Sequence, residues 1–236
     1  MQKGTLFAIA FLAVTTACAQ QTAVKLSLNT NLFSFSGPTA SDNSYIIFNS
    51  QSAPAYTNNP YGSKNGVGYG FSANIQHVTK GGFIVGTEVG YERAASTLDI
   101  KGINGNITYN GKTRLNYNFI NMLPFVGYQF NAGKVDIDMT AGFEFAYCLK
   151  ATEKADANTS SGGKYTTERD RKTIKTDVRP HIQLSADYKN IGVFVGYSHG
   201  LANYLTGYVG GSPEAYARLF RFGITYQVKQ WQRKGK

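Results

Sequence analysis

The chain has 236 residues, 42% of them hydrophobic and only 16% charged, with 16 Tyr, 15 Phe and 26 Gly against 6 Pro, and a formal net charge of +10. No stretch approaches the about 18 consecutive apolar residues that a membrane-crossing helix needs. Cys18 falls in an export leader and leaves Cys148 alone, which excludes a disulfide framework and a cysteine-based metal centre, and the basic residues are too scattered for a nucleic-acid interface.

Lys3 supplies a positive start, Leu6 to Val14 form a short apolar core, and Ala17-Cys18-Ala19 gives the small-x-small pattern that a signal peptidase reads. A signal peptide over 1–19 is therefore expected, with Gln20 first in the mature chain. The alternative, lipid attachment at Cys18, is disfavoured because Thr15 stands where such sites prefer a large aliphatic residue. Export without a spanning helix leaves a secreted soluble protein or a membrane barrel, since a closed barrel also satisfies every backbone group in lipid.

Period-two alternation then predicts eight strands in chain order. The first carries Leu26, Leu28, Thr30 and Leu32 on one face, and the second Val67, Tyr69, Phe71, Ala73 and Ile75. The third sets Phe83, Val85, Thr87, Val89 and Tyr91 against Gly86, Glu88, Gly90 and Glu92. The fourth runs from Leu115, Tyr117 and Phe119 through Pro124 to Phe130, and a parity slip near Asn121 predicts a β-bulge. The fifth opposes Val135, Ile137, Met139, Ala141, Phe143, Phe145 and Tyr147 to Asp136, Asp138, Gly142 and Glu144. The sixth spans Ile174 to Leu184, the seventh Ile191 to Ser198 and the eighth Phe220 to Val228, followed by a short basic tail over 229–236.

Connections alternate in length. Thr79 to Gly82, Asn131 to Lys134 and Lys189-Asn190 are tight turns, whereas 36–64, 94–112, 151–172 and 200–215 are long and polar. Short periplasmic turns and long extracellular loops are the outer-membrane pattern. The expected fold is thus all-β, an eight-stranded antiparallel up-and-down transmembrane β-barrel over 20–236.

Alternation alone does not separate this from a soluble, lipocalin-like barrel with its apolar face inside. The glycines do, because Gly66, Gly68, Gly70, Gly86, Gly90, Gly142, Gly192, Gly196 and Gly223 all share the polar face. Glycine weakens a solvent-facing strand without return, but in a narrow lumen it makes room for neighbouring charged side chains. The same face carries both signs, and a self-neutralising lumen network of Lys25, Glu88, Glu92, Asp136, Asp138, Glu144, Lys175, Arg179 and Arg221 is expected.

Arg221-Phe222-Gly223-Ile224-Thr225-Tyr226-Gln227-Val228 resembles the last-strand signal read by the outer-membrane insertion machinery, with Arg221, Gly223, Tyr226 and Val228 at its defined positions. The stretch Leu123-Pro124-Phe125-Val126-Gly127-Tyr128-Gln129-Phe130 is similar to the fourth strand of the PorT-like family of small outer-membrane barrels, although Asn121 and Met122 replace the acidic residue common there. The resemblance implies the barrel fold, an outer-membrane place and, for that family's named member, a part in secretion.

No cofactor or metal site is expected, because the acidic residues of the polar face lie among cations and form no compact ligand motif. Ser198-His199 is the one adjacent serine–histidine pair, but neighbours on a strand face opposite sides and do not make a nucleophile–base bond. Cys148 falls on the polar face as an inert lumen residue. An eight-stranded barrel fills with its own side chains, which argues against open diffusion. What remains is interaction. The loop residues Tyr45, Phe48, Tyr56 and Tyr61 have the aromatic and polar mixture of contact surfaces. The expected function is a non-enzymatic scaffold, with a lipid A-modifying or phospholipid-modifying enzyme as the alternative. The expected partners are outer-membrane lipids, the insertion machinery, and a protein reached through the loops or the tail.

Overall fold

β-branched and aromatic residues alternating with polar ones, punctuated by two-residue turns, give long antiparallel strands. A computed structural model describes residues 19–47, 55–104, 107–206 and 212–232. The signal region up to Cys18, Phe48 and residues 233–236 lie outside them. In chain order the strands are β1 (Ala19–Ser36), β2 (Asn43–Ser44), β3 (Ile46–Ile47), β4 (Tyr56–Thr57), β5 (Lys64–Thr79), β6 (Phe83–Asn104), β7 (Ile107–Ala132), β8 (Val135–Thr159), β9 (Lys164–Asp170), β10 (Thr176–Tyr188), β11 (Ile191–His199) and β12 (Tyr216–Gln232).

The antiparallel pairings run β1–β5–β6–β7–β8–β10–β11–β12 and return to β1, so these long strands close into a ring. With β2 and β9 hydrogen-bonded to its rim, the sheet holds ten strands. One end of the ring carries the tight turns at Thr79 to Gly82, Gly133-Lys134 and Lys189-Asn190, where Gly82, Gly133 and Lys189 take positive φ. The other end carries the long connections.

Those connections are less loop-like than their composition suggests. The β6–β7 ladder continues to Asn104 opposite Ile107, and β8 runs on to Thr159 and pairs with β9. The predicted loops 94–112 and 151–172 are therefore mostly a sheet that stands above the ring. Small and polar residues interspersed on the buried face, such as Ala155, Ala157, Thr113 and Glu153, hid the alternation there. Loop 36–64 folds into this wall, with Ile46 and Ala55 packed on Ile100, Ala155 and Ala157.

The bulge expected at Asn121 is absent. Thr113, Leu115, Tyr117, Phe119, Leu123 and Phe125 all point inward, so β7 keeps one parity throughout. The apparent slip arises because the inward face turns apolar near the loop end. The register instead shifts on β8, where Leu149 is the extra residue opposite Asn118 and Phe119, and on β5, where Gly66-Val67-Gly68 oppose only Ala94 and Ala95. The supposed basic tail is also shorter, since Lys229 to Gln232 belong to β12 and pair with β1.

The outward face is a broad apolar belt. Leu28, Phe71, Val89, Met122, Phe143, Ile182, Val193 and Ile224 are all exposed on it, Phe143 by 55%. Inside, the loop end is closed by an aromatic cluster of Phe33, Phe35, Tyr61, Leu115, Tyr117, Phe119, Tyr204 and Leu219. Phe35 meets Phe33, Tyr61 and Tyr204 edge-on at centroid distances of 5.1 Å.

Candidate functional site in the interior

Beneath the aromatic cluster the interior turns polar and layered. Arg221, inward on β12, places Nε 2.8 Å from Glu92 Oε1 and Nη2 2.8 Å from Glu144 Oε2. Arg179, fully buried on β10, bonds Glu144 at 3.0 Å and Asp177 at 2.8 Å. It donates to the Tyr204 hydroxyl and lies 4.4 Å from the Phe119 ring centre. Asn31 and Asn121 donate to the two oxygens of Glu92, which completes its partners. Buried charges are tolerated only when paired in this way.

A second layer lies toward the turn end. Lys25 Nζ is 2.8 Å from Asp187 and 3.4 Å from Asp138, and Asp138 also accepts from Gln76 and Gln129. Glu88 sits between the layers and lines a cavity of about 20 Å³ on either side, each with room for about one water.

Of the expected network, Lys25, Glu92, Asp138, Glu144, Arg179 and Arg221 are thus brought together. Glu88 and Asp136 face inward but make no ion pair among the described residues. Lys175 is a correction, because it precedes β10 and is exposed at the rim, outside the network. Asp177 and Asp187 belong in its place, so interior carboxylates outnumber interior cations and the layers are not self-neutralising. The glycines make room as expected, but more for rings and amides than for charges. A Cβ at Gly223 would meet the Phe194 ring at 2.5 Å, and one at Gly70 would meet Asn29 at 2.9 Å.

The remaining insertion-signal residues divide by parity. Arg221 and Gly223 face inward, whereas Tyr226 and Val228 are exposed on the belt. Cys148 is buried in the aromatic cluster.

The serine–histidine contact lies elsewhere than the sequence pair. His199 faces outward beside Tyr197, while Ser198 points inward, and its Oγ lies 2.8 Å from His181 Nδ1 on the neighbouring strand. The two-residue turn Lys189-Asn190 fixes this, since counting back from it pairs His181 with Ser198. Ser198 donates to Glu144 at 3.1 Å, accepts from Arg221 at 2.8 Å, and is 0% exposed. Its hydroxyl proton is thus directed to a carboxylate, not to the imidazole, and no reactant has room beside it.

The loop candidates also separate. Tyr45 is exposed. Tyr56 is half-buried beneath Arg169 and Arg171, whose guanidiniums lie 4.9 and 5.4 Å from its ring centre. Tyr61 is no contact residue: it is buried in the aromatic cluster and donates to the Tyr204 carbonyl at 3.3 Å. Burial raises its hydroxyl above the usual phenol range, with Arg171 pulling the other way. Glu153 went unnoticed in the sequence. Fully buried, it accepts from the Thr57 amide at 2.7 Å and pairs with Arg171, which in turn donates to the Thr57 carbonyl, so it straps loop 36–64 to the wall.

A closed antiparallel ring with an apolar exterior and a paired polar interior is the arrangement in which every backbone group is satisfied in lipid. The family model described as outer membrane protein beta-barrel domain matches residues 19–206. The chain belongs to the outer-membrane β-barrel domain family. Comparison with curated proteins finds no match. Among solved structures, the barrel is similar to Neisserial surface protein A at 8% identity and a TM-score of 0.39, covering 88% of this chain and 98% of that one. It is also similar to the attachment invasion locus protein Ail of Yersinia pestis, at 8% identity and a TM-score of 0.33, covering 89% and 98%. The translocator domain of the autotransporter NalP from Neisseria meningitidis gives 9% identity, a TM-score of 0.23, and coverage of 95% of each chain. These likenesses are weak, and the family match carries the assignment. With it comes an outer-membrane location.

Proposed function

We propose that this chain is a non-enzymatic, eight-stranded up-and-down transmembrane barrel that serves as an interaction scaffold, with its turns periplasmic and its β6–β9 wall extracellular. The carrying observation is the filled interior among the described residues: two ion-paired layers under an aromatic cluster, flanking cavities of about 20 Å³. A plugged barrel acts through its surfaces, and the wall above the belt is one of them. Tyr45 on that wall, and the periplasmic Lys229 and Trp231, which stack at 4.8 Å, are the proposed contact points. The Leu123 to Phe130 segment supports a PorT-like assignment, and with it a secretion accessory role. Export by a signal peptide cut after Ala19 belongs to the same reading.

Cross-linking of intact cells, followed by mass spectrometry, tests the scaffold. Shortening the β8–β9 hairpin by removing Asn158 to Lys164 is expected to keep the folded, heat-modifiable form and to lose cross-linked protein neighbours. An unchanged set of neighbours would contradict a role for the wall.

The contact between Ser198 and His181 favours one second reading, a lipid-modifying hydrolase. A fluorophosphonate probe separates the two, because the scaffold predicts no labelled Ser198 in the folded protein. Labelling there would establish the enzyme.

A further inference from the structure

Interior carboxylates outnumber interior cations, so the whole surplus behind the net charge of +10 lies outside the lumen. Among the described residues, two unpaired cations of that surplus lie on the outer surface of β6 and β7. Arg93 and Arg114 are both exposed there, neither has a carboxylate within ion-pair distance among the described residues, and their charges lie close enough to repel.

The sequence and the ladder fix why they meet. The extra residue in Gly66-Val67-Gly68 leaves Val67, with its carbonyl, without a register partner on β6. Arg114 reaches over β6 to donate Nη2 to that carbonyl, while its Nε donates to Asn116 at 2.9 Å. The guanidinium is thereby held in place by two hydrogen bonds. Arg93 stands directly across from Tyr69 and one outward step beyond Tyr91, at the aromatic edge of the apolar belt. In register with Arg93 across β7 comes Lys150, whose partner Asp170 is exposed.

We propose that Arg93 and Arg114 form a phosphate cradle at the outer-leaflet headgroup level, occupied by a phosphomonoester of lipid A. Arg114 is pre-oriented by its bonds to Val67 and Asn116, a guanidinium suits a phosphate because it offers parallel N–H donors, and an anion between the two arginines removes their mutual repulsion. The belt beneath supplies contact for the same lipid's acyl chains. Headgroup level decides the source, since a lipid phosphate is held there by its own anchor whereas a free phosphate is not.

This rests on the transmembrane reading, which insertion of the full chain into neutral phosphatidylcholine vesicles tests by itself. The cradle is tested by native mass spectrometry of the full chain in detergent with diphosphoryl lipid A or its dephosphorylated counterpart. The folded protein is expected to retain the phosphorylated lipid about tenfold better, and Arg93→Gln to abolish that preference. Arg114→Gln should act likewise; should it fail to fold, Arg93→Gln carries the test, because the Arg93 side chain makes no hydrogen bond or ion pair among the described residues. Lys80→Gln, at the turn end, is the control and should match the parent. Equal retention of the two lipids, or an unaltered preference in Arg93→Gln, would overturn the cradle while insertion into neutral vesicles left the barrel reading standing.

Discussion

At the scale of single residues, the interior depends on a few charges that have no alternative partners. Arg221 neutralises Glu92 and shares Glu144 with Arg179, all within a layer shielded from bulk solvent. Arg221→Met would leave Glu92 with only the Asn31 and Asn121 amides. The expected loss is about 3–5 kcal/mol of unfolding free energy, because a buried charge stripped of its counter-ion keeps its desolvation cost. Ser198→Ala removes a hydrogen-bonding hydroxyl and leaves the charges paired, so about 1–3 kcal/mol is expected. Denaturant titration of both variants in lipid vesicles checks the order, and comparable losses would contradict a layer held by ion pairs.

At the scale of elements, the belt and the lumen are separated by parity alone. Phe143 is outward on β8 at mid-strand, flanked in register by Pro180, and Arg there should cost about 2–4 kcal/mol and lower the inserted fraction. Thr225→Ser, inward on β12, should insert as the parent does. Heat-modifiable mobility after refolding reports both, and equal tolerance would undo the assignment of faces. Parity was also what made the fold legible. The clean alternation from Val135 to Tyr147 and the two-residue turn at Lys189-Asn190 are local signals, and they placed the lower half of β8 and the turn between β10 and β11.

Where a strand stood clear of lipid, the same rule failed. The upper parts of β6, β7 and β8 bury a face that mixes Leu98, Ile100, Ala155 and Ala157 with Ser96, Thr113 and Glu153, so their sequence looks like loop. Leu115, Tyr117 and Phe119 misled in a different way. Apolar residues were expected to mark the outside, but here they build the cluster that caps the lumen. The interior network was legible in outline because inward charges must find partners. That Asp177 and Asp187 replace Lys175, and that His181 is the neighbour of Ser198, depends on register. Register could have been counted from the turns.

At the scale of the whole molecule, the ring, the side chains that fill its interior and the tall wall make the two ends of the barrel very different. Its asymmetry is large: the turn end is trimmed to a few residues, while β6 to β9 rise above the belt and hold loop 36–64 through Glu153 and Arg171. That asymmetry is meaningful only if one end faces the medium. Single cysteines at Ser161, on the β8–β9 hairpin, and at Gly81, in a short turn, test it after Cys148 is replaced by Ala. Both positions are exposed, and a Cβ at Gly81 meets nothing within 4 Å. With an impermeant maleimide on intact cells, Ser161→Cys should label fully, whereas Gly81→Cys should label only after the outer membrane is opened. Labelling of Gly81→Cys from outside, or of both positions equally, would contradict a barrel that spans the outer membrane with its wall outward.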